Sequence, residues 1–534
     1  MSSTVSGGSP AAIPVSGSSS EAIPVTRKGG STYGQILKSS ALIGGSTVVT
    51  VAVGIVRTKA MAVFLGTAGF GLMGLFSSIA DLARSVASLG ISNSGVRQIA
   101  ESVGSGDEAR IARTVFVLRR VSLLLGIFGA ILLAVFARPM SVLTFGDDKY
   151  APAVVLLSLA VWFRIVSDSQ AALVQGMRRI SDLARMNIIG AVAGTALAIP
   201  LVSFFGEQGV VPSLIGLAIM TLLVSWWYSR KVKISKPVVT REQLRAEAGG
   251  LLKLGAAFMA SALLTMGAAY AVRLIVLRNV GLDGAGLYQA AWAIGGLYIG
   301  FILQAMGADF YPRLTGISKD NQECNRLVNE QAEISLLMAG PGVLATLTFA
   351  PWVLMVFYSR EFEGAVELLR WICLGMTLRV VAWPMGFIIL ARGLKGVFFW
   401  TEVAATVVHV GLALMLVPFV GLSGAGIAFL CLYVWHSLLI YFVVRRVSGF
   451  RWSAANRRVG LLTFAVVGAV FCGFVLLPFW VATMIGALGV LLSAGFSLRT
   501  LVRLLPEGRI PAPIRRVLER LGMLPSSSTT CIGG

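Results

Sequence analysis

The chain has 534 residues, of which 56% are hydrophobic and only 13% charged, and its formal net charge is +21. Ordinary soluble domains carry about twice that charged fraction, so a water-soluble globular fold is excluded. The basic residues are scattered over many short segments, which argues against a nucleic-acid-binding protein.

Taken in chain order, residues 1–35 are rich in Ser, Gly and Pro and lack the apolar core of a signal peptide, so a flexible cytoplasmic tail is expected. Apolar runs of about 20 residues follow, each long enough for a helix to cross a bilayer. Fourteen spans are predicted, near 41–64, 71–95, 121–137, 151–175, 187–205, 212–228, 254–277, 285–308, 335–357, 365–390, 398–420, 424–443, 460–478 and 482–498. The end of the chain, 506–534, contains "IRRVLERL", a basic amphipathic stretch suited to a cytoplasmic membrane surface. With the N-terminus inside, the cytoplasmic segments hold 34 of the 45 Lys and Arg, and the external ones hold only Arg138, Lys149, Arg278 and Arg360. That asymmetry obeys the positive-inside rule and places both termini in the cytoplasm.

Glycine turns repeat at a fixed distance. "FLGTAGFGLMG" (64–74) returns as "NVGLDGAGLYQ" (279–289), with Gly66, Gly69, Gly71 and Leu72 matching Gly281, Gly284, Gly286 and Leu287 at an offset of 215. "VSFFGEQGVVPS" (202–213) and "VPFVGLSGAGIA" (417–428) match at the same offset, as do Arg164 with Arg379 and Lys38 with Lys253. "QGMRR" (175–179) resembles "RGLKG" (392–396) after a two-residue shift. The chain therefore reads as two six-helix halves, 36–250 and 251–450, followed by two additional helices within 451–505. An even number of helices per half makes them parallel repeats about an axis along the membrane normal, with a cleft between two lobes.

Seven basic residues fall inside spans: Arg57, Lys59, Arg84, Arg164, Arg273, Arg370 and Arg379. Each costs at least ~2.5–3.5 kcal/mol at the bilayer centre, so they must face partners, water or a cavity. Lys59 and Arg370 lie near span ends and can snorkel. Ser77, Asp81, Arg84, Ser85, Ser88 and Ser92 recur at three- and four-residue steps, the pattern of a polar helical face on an aqueous cleft or a buried polar seam. Arg57 and Arg273 stand one residue apart after the 215 shift and are expected to enter one central space. Guanidinium groups with few acids suit an anion, phosphate above all. Arg164, Asp168 and Arg379 read as either structural or cavity residues: Arg164 can pair with Asp168 one turn on, and Glu402 on the next span is an acid that Arg379 could reach. Tyr288 and Trp292, at i and i+4, fit either a sugar-stacking platform or the interfacial aromatic belt. His409 and His436 read as packing groups. The five cysteines (Cys324, Cys373, Cys431, Cys472, Cys531) show no disulfide framework and no metal spacing.

"KAMAVFLGTAGFGLMGLFSSIAD" (59–81), "YAVRLIVLRNVGLDGAGLYQA" (270–290), "ADFYPRLT" (308–315) and "ILARGLKGVFFWTEVA" (389–404) resemble the Wzx-type polysaccharide and O-antigen repeat-unit flippases, nearest the enterobacterial common antigen branch. These belong to the multidrug/oligosaccharidyl-lipid/polysaccharide exporter superfamily. The resemblance, spread over 36–450, implies transfer of an undecaprenyl-pyrophosphate-linked oligosaccharide across the bacterial inner membrane. It further implies a cavity to which spans 1, 2, 7 and 8 contribute. Membrane lipids are expected partners, the chain is expected to be a monomer, and it works either alone or beside a polysaccharide polymerase and glycosyltransferases. No cofactor or metal is expected. The two helices after residue 459 depart from the twelve spans common in that family. A peptidoglycan-precursor flippase and a cation-coupled multidrug exporter remain as alternatives, although spans 1 and 7 carry arginine where a cation exporter should present carboxylates. An enzyme is disfavoured by short loops and by the absence of DxD and GxxxxGK[ST] motifs.

Overall fold

The computed structural model describes residues 29–232, 234 and 240–504. The stretch 1–28, the basic segment 506–534 and Cys531 lie outside the described residues. Within them every regular element is helical: α1 (Gly29–Ser88), α2 (Ile91–Ser105), α3 (Glu108–Val135), α4 (Ala137–Phe145), α5 (Ala151–Gly176), α6 (Ile180–Phe205), α7 (Val210–Arg230), α8 (Arg241–Gly316), α9 (Asn321–Thr348), α10 (Ala350–Phe357), α11 (Val366–Ala391), α12 (Lys395–Val420), α13 (Leu422–Ser448), α14 (Ala454–Leu476) and α15 (Phe479–Leu504). By length and composition ten helical segments among the described residues can cross a membrane, or eleven if the bent pair α9–α10 counts as one. This differs from the fourteen separate spans expected because adjacent spans run together: 45–88, 180–230 and 262–300 are each one segment. α1 also begins at Gly29, inside the stretch read as a tail.

Glycines mark the joins. A straight helix of 60 residues, the size of α1, would be about 90 Å long, roughly three times the apolar thickness of a bilayer. α1 is interrupted at Gly66 (φ 62°, ψ −168°) and α8 at Gly281 (φ 87°, ψ −175°). That backbone region is essentially closed to residues with a Cβ. A Cβ on Gly281 would meet no atom within 4 Å, so strain alone opposes it. Gly281→Ala is expected to cost about 1–3 kcal/mol, read as a lowered melting temperature of the purified protein. An unchanged melting curve would mean the break does not need glycine.

The 215-residue offset recurs in the backbone. α5 and α11 begin and end at matching positions, and so do α6 and α12. The glycines that close α6 and α12, Gly206 (φ 55°, ψ −132°) and Gly421 (φ 70°, ψ −144°), share one conformation. After α5 the backbone corrects the sequence alignment, because no two-residue shift is needed. Arg178 (φ 56°) stands where Gly393 (φ 69°) stands in the second repeat. Matching bonds follow: the Arg179 amide donates to the Val174 carbonyl and the Leu394 amide to that of Ile389, both at 3.1 Å. Local backbone geometry is kept while the residue type changes, so the glycines misalign in sequence.

Two predicted spans change shape. The span 335–357 is α9 and α10, bent by 84°, with Pro351 in the first turn of α10 preventing a continuous helix. The span 71–95 stops at Ser88, where Leu89 (φ 45°) and Gly90 (φ 65°) turn the chain into α2.

The repeats meet along α1 and α8. A Cβ on Gly71 would lie 2.4 Å from the Leu282 carbonyl oxygen, and one on Gly286 would lie 2.0 Å from that of Thr67. Both pairs are 215 apart, so the contact is reciprocal. The Thr67 hydroxyl also donates to the Asp283 carboxylate across it. At the far end of the interface Gly90 and Gly255 are equally close, with added Cβ atoms 2.3 and 2.2 Å from opposing carbonyl oxygens. The C-terminal pair α14 and α15 packs on α9, where a Cβ on Gly486 would fall 2.6 Å from Thr348.

Candidate functional site

Between those two glycine contacts lies a cavity of ≈ 390 Å³ lined by Arg84, Ser85 and Ser88 of α1, Ser92 of α2, Asp168 of α5, and Met259 and Met266 of α8. Of the polar face predicted on span 2, Arg84, Ser85 and Ser88 line this opening and Ser92 reaches it from the next helix, while Ser77 and Asp81 are not among its walls. Arg84 is not free there. Its Nη1 donates to Asp168 at 2.8 Å and its Nη2 lies 3.6 Å from Asp81. Asp168 had been expected to hold Arg164, its neighbour one turn away. A guanidinium arriving from another helix takes it instead, because an i,i+4 pair on one helix is worth only ~0.3–0.5 kcal/mol and is easily displaced.

Arg164 is released by that exchange. With Arg57 it lines a second cavity of ≈ 390 Å³, walled by Thr50 of α1, Ser167 of α5, Asn187 of α6 and Thr221 of α7. Among the described residues neither arginine forms an ion pair or a hydrogen bond. Asp168 lines both cavities, so the two adjoin.

Arg273 takes a different place from Arg57. Its Nη1 donates to the Gly74 carbonyl at 3.1 Å, and its Nε is buried without a partner. The strict image of Arg57 at the 215 offset is the fully buried Val272, and one residue on a helix is about 100° of rotation. The expected meeting of Arg57 and Arg273 in one space is thus corrected. Tyr288 is 3% exposed, and its ring stacks on Trp292 at 6.0 Å within the core. Arg379 lines a third cavity of ≈ 280 Å³ together with Glu402 and His436.

Lys59 and Arg370 do not merely snorkel. Lys59 Nζ donates to the Met355 carbonyl in the last turn of α10 at 2.7 Å, and Arg370 Nε to that of Leu347 near the end of α9 at 3.3 Å. Cations suit those positions, where carbonyls lack helical partners and the helix dipole is negative.

The pair Arg84–Asp168 gives a stability test. Its side chains are 25% and 36% exposed, so the penalty for stranding a buried charge is discounted to about 1–2 kcal/mol. Asp168→Asn is expected to lower the melting temperature by that equivalent, and Arg84→Gln/Asp168→Asn to lose less than the sum of the single changes. Additive losses would mean the pair is not coupled.

The fold is that of the exporters of the MOP superfamily. An inward-facing MATE-family multidrug resistance transporter of that superfamily superimposes with a TM-score of 0.62 at 17% identity, over 75% of this chain and 94% of its own. The lipid II flippase MurJ does so with a TM-score of 0.61 at 14% identity, over 86% of this chain and 99% of its own. Residues 60–367 match the family described as "Polysaccharide biosynthesis protein", and the chain belongs to that family. The lipid III flippases of Escherichia coli K12 and Shigella flexneri are each 24% identical to it over 409 residues, covering 75% of this chain and 95% of theirs. The expectation of an all-α, multi-pass membrane protein holds.

Proposed function

We propose that the chain is a flippase carrying an undecaprenyl-pyrophosphate-linked oligosaccharide repeat unit from the cytoplasmic to the periplasmic leaflet of a bacterial inner membrane, for surface polysaccharide biosynthesis. The observation that carries the reading is the pair Arg57 and Arg164, two guanidinium groups in a cavity of membrane helices that form no ion pair among the described residues, since the carboxylate on its wall, Asp168, is taken by Arg84. Charges in such segments face a cavity when they serve a ligand, and the planar guanidinium fork matches phosphate oxygens two at a time. Unpaired arginines repel a cationic drug. The names of the lipid III flippases support a lipid-linked substrate.

In this reading the three segments broken at glycine cross the membrane twice each. With the bent pair α9–α10 as one span and seven unbroken helices, they make the fourteen spans expected from sequence. The halves 36–250 and 251–450 are the lobes, and 451–505 adds two helices outside them. The reciprocal contact of Gly71 and Gly286 supports an axis relating the lobes, about which they rock to expose the cavities to each face in turn. Both termini are cytoplasmic by the charge asymmetry. Outward movement of the anion follows an inside-negative potential, gaining ~2.3 kcal/mol per charge per 100 mV. Glycosyltransferases supply the substrate and a polymerase consumes it, while the flippase itself works as a monomer.

Depletion in the native host, followed by mass spectrometry of undecaprenyl-linked lipids, tests the substrate. The expected result is accumulation of a pyrophosphate-linked oligosaccharide on the cytoplasmic side. Accumulation of a peptidoglycan precursor instead, or of no such lipid in a host without a second flippase, overturns it.

A further inference from the structure

The cavity around Arg379 is the repeat image of the cavity around Arg164. Most lining positions coincide at the 215 offset: Thr50 with Thr265, Arg164 with Arg379, Asp168 with Trp383, Asn187 with Glu402, and Thr221 with His436. Their chemistry has diverged. The first-repeat cavity presents hydroxyls, an amide, two arginines without an ion pair, and the Asp168 carboxylate, which Arg84 holds. The second presents one arginine, one acid and one imidazole against ring faces of Trp383 and Tyr433.

Arg379 and Glu402 cancel in charge, so this cavity has no preference for an anion. They do not neutralise each other by contact, however. Among the described residues Glu402 makes no ion pair within 4.0 Å and no hydrogen bond. The Arg379 guanidinium rests against two rings, 5.3 Å from the centroid of Trp383 and 5.9 Å from that of Tyr433. Its Nε and both ring nitrogens of His436 are buried without partners. Leaving each such group unpaired is costly, so a ligand that satisfies them is strongly favoured. A strong acceptor, a planar donor, an imidazole and apolar ring faces around one small space match a ring of hydroxyls with an apolar C–H face. At ≈ 280 Å³ the cavity stands at the small end of ligand pockets, the size for one sugar residue and not for a whole glycan.

We infer that the second-repeat cavity binds a pyranose residue, with Trp383 and Tyr433 against its C–H face, Glu402 accepting from its hydroxyls, Arg379 donating to them, and His436 donating or accepting. The inference rests on the flippase reading: two images of one cavity have specialised, one for the phosphates and one for a sugar of the same lipid-linked substrate.

The test uses the full chain in lipid nanodiscs, with glucose and N-acetylglucosamine as probes for saturation-transfer NMR and inorganic pyrophosphate as a separate probe for calorimetry. Wild type is expected to transfer magnetisation from aromatic protons to sugar ring protons. Glu402→Gln and Trp383→Leu, checked for a normal melting curve, should weaken sugar binding on the order of tenfold and leave pyrophosphate binding unchanged. Trp383→Phe, which keeps a ring, should retain most of it and replaces the leucine variant if that fails to fold. Arg57→Gln/Arg164→Gln should show the reverse pattern. No transfer to either sugar in wild type, or transfer unchanged in Glu402→Gln and Trp383→Leu, overturns the inference. Sugar binding without pyrophosphate binding would instead sink the anion site and leave the sugar site standing.

Discussion

Gly286→Val is expected to abolish the folded, export-competent protein. The first added atom would lie 2.0 Å from the Thr67 carbonyl oxygen and 3.1 Å from the Gly71 amide nitrogen. Both are backbone atoms, so no side-chain rotation relieves the clash, and α1 and α8 must separate where the two repeats touch. Overpacking in a core costs about 1–3 kcal/mol when side chains can yield, and backbone against backbone costs more. Gly71→Val should fail in the same way, since its Cβ meets the Leu282 carbonyl oxygen at 2.4 Å. Gly296→Ala is the control, because a Cβ there meets nothing within 4 Å on an uninterrupted stretch of α8; replacing a helical glycine so is neutral or slightly stabilising. Yield of monodisperse protein on size-exclusion chromatography reads the outcome. Wild-type yield and export by Gly286→Val would show that the close crossing is not required.

Arg57→Gln/Arg164→Gln is expected to remove export while leaving a folded protein. A charge-assisted hydrogen bond contributes about 1.5–3 kcal/mol, so losing two guanidinium partners should weaken pyrophosphate binding on the order of 100-fold or more. Stability should hold or rise, because two cations without protein partners leave the membrane interior. Arg84→Gln should divide differently. Its guanidinium is committed to Asp168 and Asp81, so the change costs stability first. Equal loss of pyrophosphate affinity from Arg84→Gln and from the double variant would return Arg84 to the anion site.

Much of this architecture is legible in the sequence because apolar length and glycine spacing are local signals. Gly66 and Gly281 mark the turns between spans before any coordinates are known, whereas the close crossing at Gly71 and Gly286 shows only in the structure. The span boundaries were less legible where the chain does not pause: α1 passes from one predicted span to the next with a single glycine between, and α3 starts at Glu108, well before its apolar run, under an Asp107 cap. The site was legible in residue type but not in pairing. Arg84, Arg57 and Asp168 do line cavities. Which arginine takes Asp168 is decided by helices 84 residues apart, and no spacing rule reports that. Spacing offers Arg164 the neighbouring Asp168 and leaves its place on a cavity wall as an alternative, and an aromatic i,i+4 pair such as Tyr288 and Trp292 looks alike in a core and on a cavity wall. A usable signal for the second-repeat cavity went unread: Asn187 with Glu402 and Thr221 with His436 are polar residues inside spans at the same offset as the glycines.

The measurement that bears most directly on the central claim is transbilayer movement of a fluorescent undecaprenyl-pyrophosphate-linked oligosaccharide in vesicles containing the purified protein. Movement by wild type, and its loss in a correctly inserted Arg57→Gln/Arg164→Gln variant, is the expected result. Wild-type vesicles that move the lipid no faster than protein-free ones, or a double variant that moves it as fast as wild type, would contradict a flippase that holds its substrate by these arginines.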